Sequence, residues 1–138
     1  MRLSAPEARR RLASSRVAHL ATATPDGQPH VVAVTFAVDG DVIYTAVDHK
    51  PKATTNLRRL RNIAENPQAS LLADHYSDDW TTLWWARADG RAAILTHPDE
   101  TSKPLALLAA RYPQYRASPP DGPVIAISAY SWTAWSFT

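Results

Sequence analysis

The chain has no cysteine, which excludes disulfides, thiolate metal sites and cysteine nucleophiles at once. No apolar run approaches the roughly 18 residues a membrane span needs, and the opening residues MRLSAPEARRRL lack the apolar core of a secretion signal. A cytoplasmic location, with no membrane partner, is therefore the expectation. Neither GxGxxG nor GxxxxGK(S/T) occurs, so nucleotide binding through those glycine-rich loops is not expected. GxSxG is missing too, which leaves Ser/His/Asp hydrolysis without its nucleophile turn. His19, His30, His49, His75 and His97 have no short-range metal-ligand spacing, and each reads as a surface or capping residue. No internal repeat, low-complexity tract or linker divides the sequence.

What is present describes one ordinary globular domain spanning residues 1–138, 45% hydrophobic and 20% charged. The formal net charge of +2 hides an asymmetry: residues 1–69 carry ten Lys/Arg against six Asp/Glu, whereas residues 70–138 carry five against seven. Lys50, Lys52, Arg58, Arg59 and Arg61 follow one another with no acid between them. A local basic cluster on a near-neutral chain points to a focused anionic ligand rather than to nucleic acid, the alternative being a solvated helix face.

Local patterns give the elements. Ser4-Ala5-Pro6-Glu7 reads as a capping box opening a short helix that ends near Ser14. Arg16 to Thr24 alternates as a strand, Pro25-Asp26-Gly27 turns, and Pro29 to Val38 is a second strand rich in β-branched residues. Asp39-Gly40 suits a two-residue hairpin leading to a return strand, Asp41 to Val47. From Ala53 to Glu65 the apolar spacing becomes helical, and Asn66-Pro67 closes that helix. Gln68 to Asp74 and Trp80 to Leu95 are strands, the second bent at Asp89-Gly90. His97 to Tyr112 reads as a helix, residues 113–123 as a proline-rich surface loop, and Val124 to Ser128 and Trp132 to Phe137 as closing strands. Six or seven antiparallel strands with inserted helices make a mainly β protein, a closed or split barrel.

One segment concentrates chemistry. Tyr44-Thr45-Ala46-Val47-Asp48-His49-Lys50-Pro51-Lys52-Ala53-Thr54-Thr55 leaves a strand, crosses a loop with two lysines and enters a helix through two threonines. Unpaired amides at a helix start, two ammonium groups and two hydroxyls would cradle a phosphate. The alternative is a solubilising loop with threonine caps.

The string VIYTAVDHKPKATTNLRRLRNIAENPQASLL, Val42 to Leu72, resembles the core of the pyridoxamine 5′-phosphate oxidase-like flavin/deazaflavin family. The opening hairpin VAHLATATPDGQPHVVAVTF is similar as well. The segment DHYSDDWTTLWWARADGRAAIL, followed by PPDGPVIAI and a Trp-rich tail, resembles a subgroup that uses the deazaflavin coenzyme F420. Together these stretches cover nearly the whole chain. The resemblance implies an FMN-binding type of split β-barrel and a homodimer with its cofactor at the subunit interface. It implies that Lys50, Lys52, Thr54 and Thr55 hold the cofactor phosphate. Tyr44 and Thr45 would touch the ring and ribityl chain, while Val32 and Val34 line the isoalloxazine face with backbone amides reaching ring oxygens. Many members have adjacent basic residues where this chain has Lys50-Pro51-Lys52, so the lysine that contacts phosphate is not assigned.

Among the aromatics, Trp80, Trp84 and Trp85 cluster ahead of Arg87. On a strand Trp85 and Arg87 share a face and Trp84 points to the other. One of these tryptophans belongs to the core, and Trp80 or Trp84 is a candidate to stack on a planar cofactor. Arg87 is a candidate partner for an anionic substrate or cofactor tail, or for Asp78, Asp79 or Asp89. Trp132 and Trp135 read as barrel or dimer packing. The resulting expectation is an oxidoreductase passing hydride between F420 and a small organic substrate, with loops 75–79 and 113–122 shaping the substrate pocket. The alternatives are an FMN enzyme of the same fold, or a flavin, F420 or haem carrier without turnover.

Overall fold

The computed structural model of the chain describes residues 1–47 and 54–138, with the side chains of residues 54–57 outside that description. Ser4 caps helix α1 (Ala5–Ser14), its hydroxyl accepting from the Glu7 amide at 3.3 Å. The capping box is only half formed, because the Glu7 carboxylate turns along the helix to Arg10 (2.5 Å) and Arg11 (2.8 Å). Those guanidiniums hold the Glu7 carboxyl down at about 2. Ala8 and Leu12 lie one turn apart on the same side of α1 and are fully buried.

The strands are β1 (Arg2–Leu3), β2 (Ala18–Ala23), β3 (Pro29–Val34), β4 (Ala37–Asp39), β5 (Val42–Ala46), β6 (Gln68–His75), β7 (Trp84–Leu95) and β8 (Val124–Ser136). Every pairing is antiparallel, and the path runs β3-β2-β6-β7-β8-β5-β4, with β1 joined to the end of β8. The sheet does not close. Its two terminal strands, β3 and β4, are consecutive in the chain and are linked covalently rather than by a ladder. This is the split barrel expected, with its mainly β composition.

The split comes at Thr35-Phe36, where one continuous strand was expected. β3 pairs with β2 and β4 pairs with β5, so the chain changes sides between them. No glycine or proline marks the change. It is fixed instead by the end of helix α3 (Pro98–Arg111). The Tyr112 hydroxyl accepts from the Phe36 amide at 3.1 Å and shares its own hydrogen between the carbonyls of Arg16 (2.9 Å) and Phe36 (3.0 Å). Arg111 donates to the Phe36 and Ser15 carbonyls, and the Phe36 ring is completely buried.

Three other expectations change. Trp80–Thr82 is a short 3-10 turn capped by Asp79, so the long strand begins at Trp84. Residues Pro113–Ala117 form a short helix, α4, opened by a proline at its first position, where no amide is needed. The two closing strands are one, β8, because a bulge absorbs the break: Asp89 faces Ser131, Gly90 faces Ala129, and Tyr130 is the extra residue. Gly90 is required there, since a Cβ would lie 2.5 Å from the Ser128 carbonyl oxygen. The bend foreseen at Asp89-Gly90 is this bulge. Gly40, at φ +63°, makes the β4–β5 hairpin turn.

The main core lies inside the sheet. Leu20, Phe36, Ile43, Leu71, Ile125 and Ile127 fill it together with Ala8 and Leu12 of α1. A second cluster, with Ala46, Leu108, Tyr112 and Val124, seats α3 on the outside of β4, β5 and β8. Helix α2 (Thr54–Glu65) packs on β2 and β7.

Candidate functional site

The outward face of β2, β3, β6 and β7 has no helix on it comparable to α3 on the other arm. His19, Ala21, Val31, Ser70, Leu72, Asp74, Trp85 and Arg87 line a groove of about 520 Å³ across these strands. The register aligns them in rows. His19 faces Leu72 and Leu72 faces Arg87, while Ala21 lies between Val31 and Ser70. Val31 is 63% exposed and Leu72 36%, apolar side chains in water on a sheet whose other face is dry. Charge sits at the β7 edge: the Arg87 guanidinium pairs with Asp89 at 3.0 Å and lies 5.9 Å from the Trp85 ring centre. Asp89 also accepts from the Ser70 hydroxyl at 2.6 Å.

The expected site residues distribute unequally. Arg87 lines this groove beside Trp85, on the shared face that strand alternation gave them. Trp84 turns inward, partly buried against the core, with the Arg11 guanidinium 5.6 Å from its ring centre. Trp80 is exposed on the 3-10 turn. Val32 and Val34 face the interior, so β3, which among the described residues pairs with β2 alone, presents its backbone edge and the side chains of Val31 and Ala33. Thr45 is buried inside the barrel, and Tyr44 points the other way, half-buried beneath α3. Lys50 and Lys52 lie outside the described residues. For Thr54 and Thr55 only the backbone is described, as the start of α2. Trp132 packs against the core and donates to Asp41 at 2.9 Å, while Trp135 stacks edge-on to Phe137.

Sequence reasoning missed the groove residues His19, Val31, Leu72 and Asp74. A signal existed. Val31 to Val34 and Leu71 to Ala73 are apolar on both strand faces, the pattern of a strand covered on both sides. The basic cluster also divides: Arg58 and Arg61 are exposed, whereas Arg59 is buried. Near it α2 brings polar groups into the interior, where Asn62 donates to the Thr22 hydroxyl at 3.1 Å, both side chains being buried. His30 departs from its surface expectation, since its Nδ1 is buried and has no hydrogen-bond partner among the described residues. His97 keeps the capping role, accepting from the Asp99 amide at 3.2 Å. Among the described residues no group of histidines and acids could hold a metal, and no helix is long and apolar enough to cross a membrane.

Residues 4–136 match the family described as pyridoxamine 5′-phosphate oxidase. A conserved hypothetical protein from Mycobacterium tuberculosis superimposes with a TM-score of 0.77 at 25% identity, over 98% of this chain and 86% of that one. An FAD-binding protein from Mesorhizobium loti does so with 0.76 at 19% identity, over 97% and 95%. A haem storage protein from Vibrio cholerae gives 0.71 at 18% identity, over 99% and 95%. The last two show a common fold. No curated protein matches the chain.

Proposed function

Because the chain belongs to the pyridoxamine 5′-phosphate oxidase family, we propose that it is a homodimeric oxidoreductase binding coenzyme F420, in preference to FMN, between its subunits. The match over residues 4–136 carries this reading. The similarity of the Asp74 to Leu95 segment to F420-using relatives favours the deazaflavin. The groove supports the dimer, since a second copy would cover Val31, Leu72 and Trp85, which the monomer leaves in water.

The residues present fit a planar, phosphate-bearing group. The β3 edge has backbone groups without a strand partner, and buried polar atoms of His30 and Arg59 lack partners among the described residues. The chemistry such a group supplies when bound is hydride transfer to or from a small organic substrate. The chain's part is to position it. Lys50, Lys52, Thr54 and Thr55 would hold the phosphate, as the resemblance implies. The backbone of β3 around Val32 and Val34 would hold the ring, whereas Thr45, buried in the barrel, and Tyr44, beneath α3, are turned away from that edge. Arg87, beside Trp85 in the groove, and Trp80, exposed on the 3-10 turn, would bound the cofactor and substrate side, while Trp84 is turned to the core.

Titration of the purified chain with F420 and, separately, FMN, read by tryptophan quenching, tests the reading. F420 is expected to bind at least about tenfold more tightly than FMN, a difference of about 1.4 kcal/mol. A reversed preference assigns FMN, and binding of neither overturns the cofactor assignment.

A further inference from the structure

Arg59 is the one arginine of the Arg58-Arg59-Arg61 group that the fold takes out of water: it is 7% exposed. A buried guanidinium ordinarily has a carboxylate or several carbonyls around it, because an unpaired buried charge is costly. Among the described residues Arg59 has no ion pair or hydrogen bond, and its Nε is sealed from solvent with no acceptor. The contrast with Arg111 is informative. That side chain is also partly buried, and it donates to the Phe36 and Ser15 carbonyls while stacking on Phe36 and Tyr112. The fold satisfies Arg111 internally, whereas Arg59 has no such partner among the described residues.

Tyr115 supplies a further donor, not the missing charge. Tyr115 of α4 lies within electrostatic reach of the Arg59 guanidinium, and its hydroxyl meets that of Thr35 at 2.7 Å. Two hydroxyls joined by one hydrogen bond have a second hydrogen still to donate. The hydroxyl pair ties α4 to the Thr35-Phe36 strand change, and the guanidinium comes from α2. Burial pushes the guanidinium below its ordinary value, opposed in part by Tyr115, as expected of a cation waiting for an anion.

We propose that Arg59, with the Tyr115–Thr35 hydroxyl pair, forms a site for an oxyanion, a phosphate or carboxylate, seated between α2 and α4. The oxyanion is either free in solution or part of a larger bound ligand. The site stands on Arg59 itself and does not require the F420 assignment.

The probe is inorganic phosphate, with sodium acetate as the carboxylate and sodium chloride matching ionic strength. Phosphate or acetate is expected to raise the melting midpoint of the wild-type chain by a few degrees beyond chloride, since an anion bound only to the folded state stabilises it. Arg59→Met is expected to melt no lower than wild type in anion-free buffer, because it removes an unpaired buried charge, and to lose the response. Arg58→Gln and Arg61→Gln are expected to keep it. On the ¹⁵N-labelled wild-type chain, which avoids any folding defect, the Arg59 Nε–H resonance is expected to move with phosphate while those of Arg58 and Arg61 stay. FMN against riboflavin identifies the source. If FMN moves the Arg59 resonance, riboflavin does not, and phosphate has no further effect, the anion is the ligand's own. If phosphate still moves the resonance on FMN-saturated protein, the anion is free. A phosphate response without FMN or F420 binding keeps the oxyanion site and overturns only the cofactor reading. An Arg59 resonance unmoved by phosphate, acetate and FMN overturns the proposal. So does an Arg59→Met chain that melts lower than wild type yet keeps the full anion response.

Discussion

The same five strands, β2, β3, β6, β7 and β8, make two surfaces with opposite properties. Toward the interior, Val32, Leu20, Leu71, Ala88 and Trp132 form one continuous row across the register, closed by Ala8 and Leu12 of α1. One residue along each strand, the outward row runs Ala33, His19, Leu72, Arg87, Thr133. The inner row is aliphatic and aromatic and holds the fold. The outer row mixes apolar, aromatic and charged groups in the way ligand and partner surfaces do. Because side chains alternate with a period of two, adjacent residues such as Leu71 and Leu72 answer to different demands.

The largest expected effect breaks the inner row. Leu71→Ala removes a fully buried side chain and is expected to cost roughly 2–5 kcal/mol in a denaturant titration. Leu72→Ala, on the neighbouring residue, is expected to cost under about 1 kcal/mol. Leu72→Glu is expected to leave the chain folded and, if the proposed dimer forms through this face, to shift sedimentation equilibrium toward the monomer. Equal losses for the two alanine variants would show that the faces do not differ.

A smaller effect concerns the polar exception on the inner face. Thr22 is buried there, and its hydroxyl is satisfied by Asn62 from α2. Asn62→Ala strands that hydroxyl and is expected to cost about 1–3 kcal/mol in the same titration. Adding Thr22→Val is expected to recover part of the loss, because both partners are then apolar.

The smallest effect lies on α1, which covers the inner face. The Glu7 carboxyl is held at about 2, below its ordinary 4.5, by Arg10 and Arg11. A depressed acid stabilises the fold above its ordinary value and loses that contribution as pH falls through the depressed one. The advantage of wild type over Glu7→Gln is therefore expected to be complete above pH 4.5 and to vanish as the pH approaches 2. An advantage that persists at the acid end would separate Glu7 from the acid response. Because Glu7 is partly exposed and Arg10 largely so, this contribution is small and salt-sensitive.

These contrasts explain what the sequence made legible. Strand alternation placed Trp85 and Arg87 on one face, and turn chemistry placed the hairpin at Gly40, because both signals are local. The strand change at Thr35-Phe36 left no local mark; it depends on Arg111 and Tyr112, which are distant in the sequence and reach Phe36 only in the folded chain. The Ala129-Tyr130 bulge reads as a break in sequence and is bridged by pairing with β7. Three arginines in a basic run look alike until the helix angle sends Arg59 inward and Arg58 and Arg61 outward. Val32 and Val34 were assigned to the ring by resemblance; the pleat turns their side chains to the core and leaves the β3 backbone as the available surface.

The central claim, that one face holds the fold and the other side, with the β3 edge, holds a cofactor, is tested most directly by amide hydrogen exchange with and without coenzyme F420. The account predicts slower exchange in β3 and the start of α2 on binding, with α1 unchanged. F420 bound without added protection in β3, or with protection confined to α1, would contradict it.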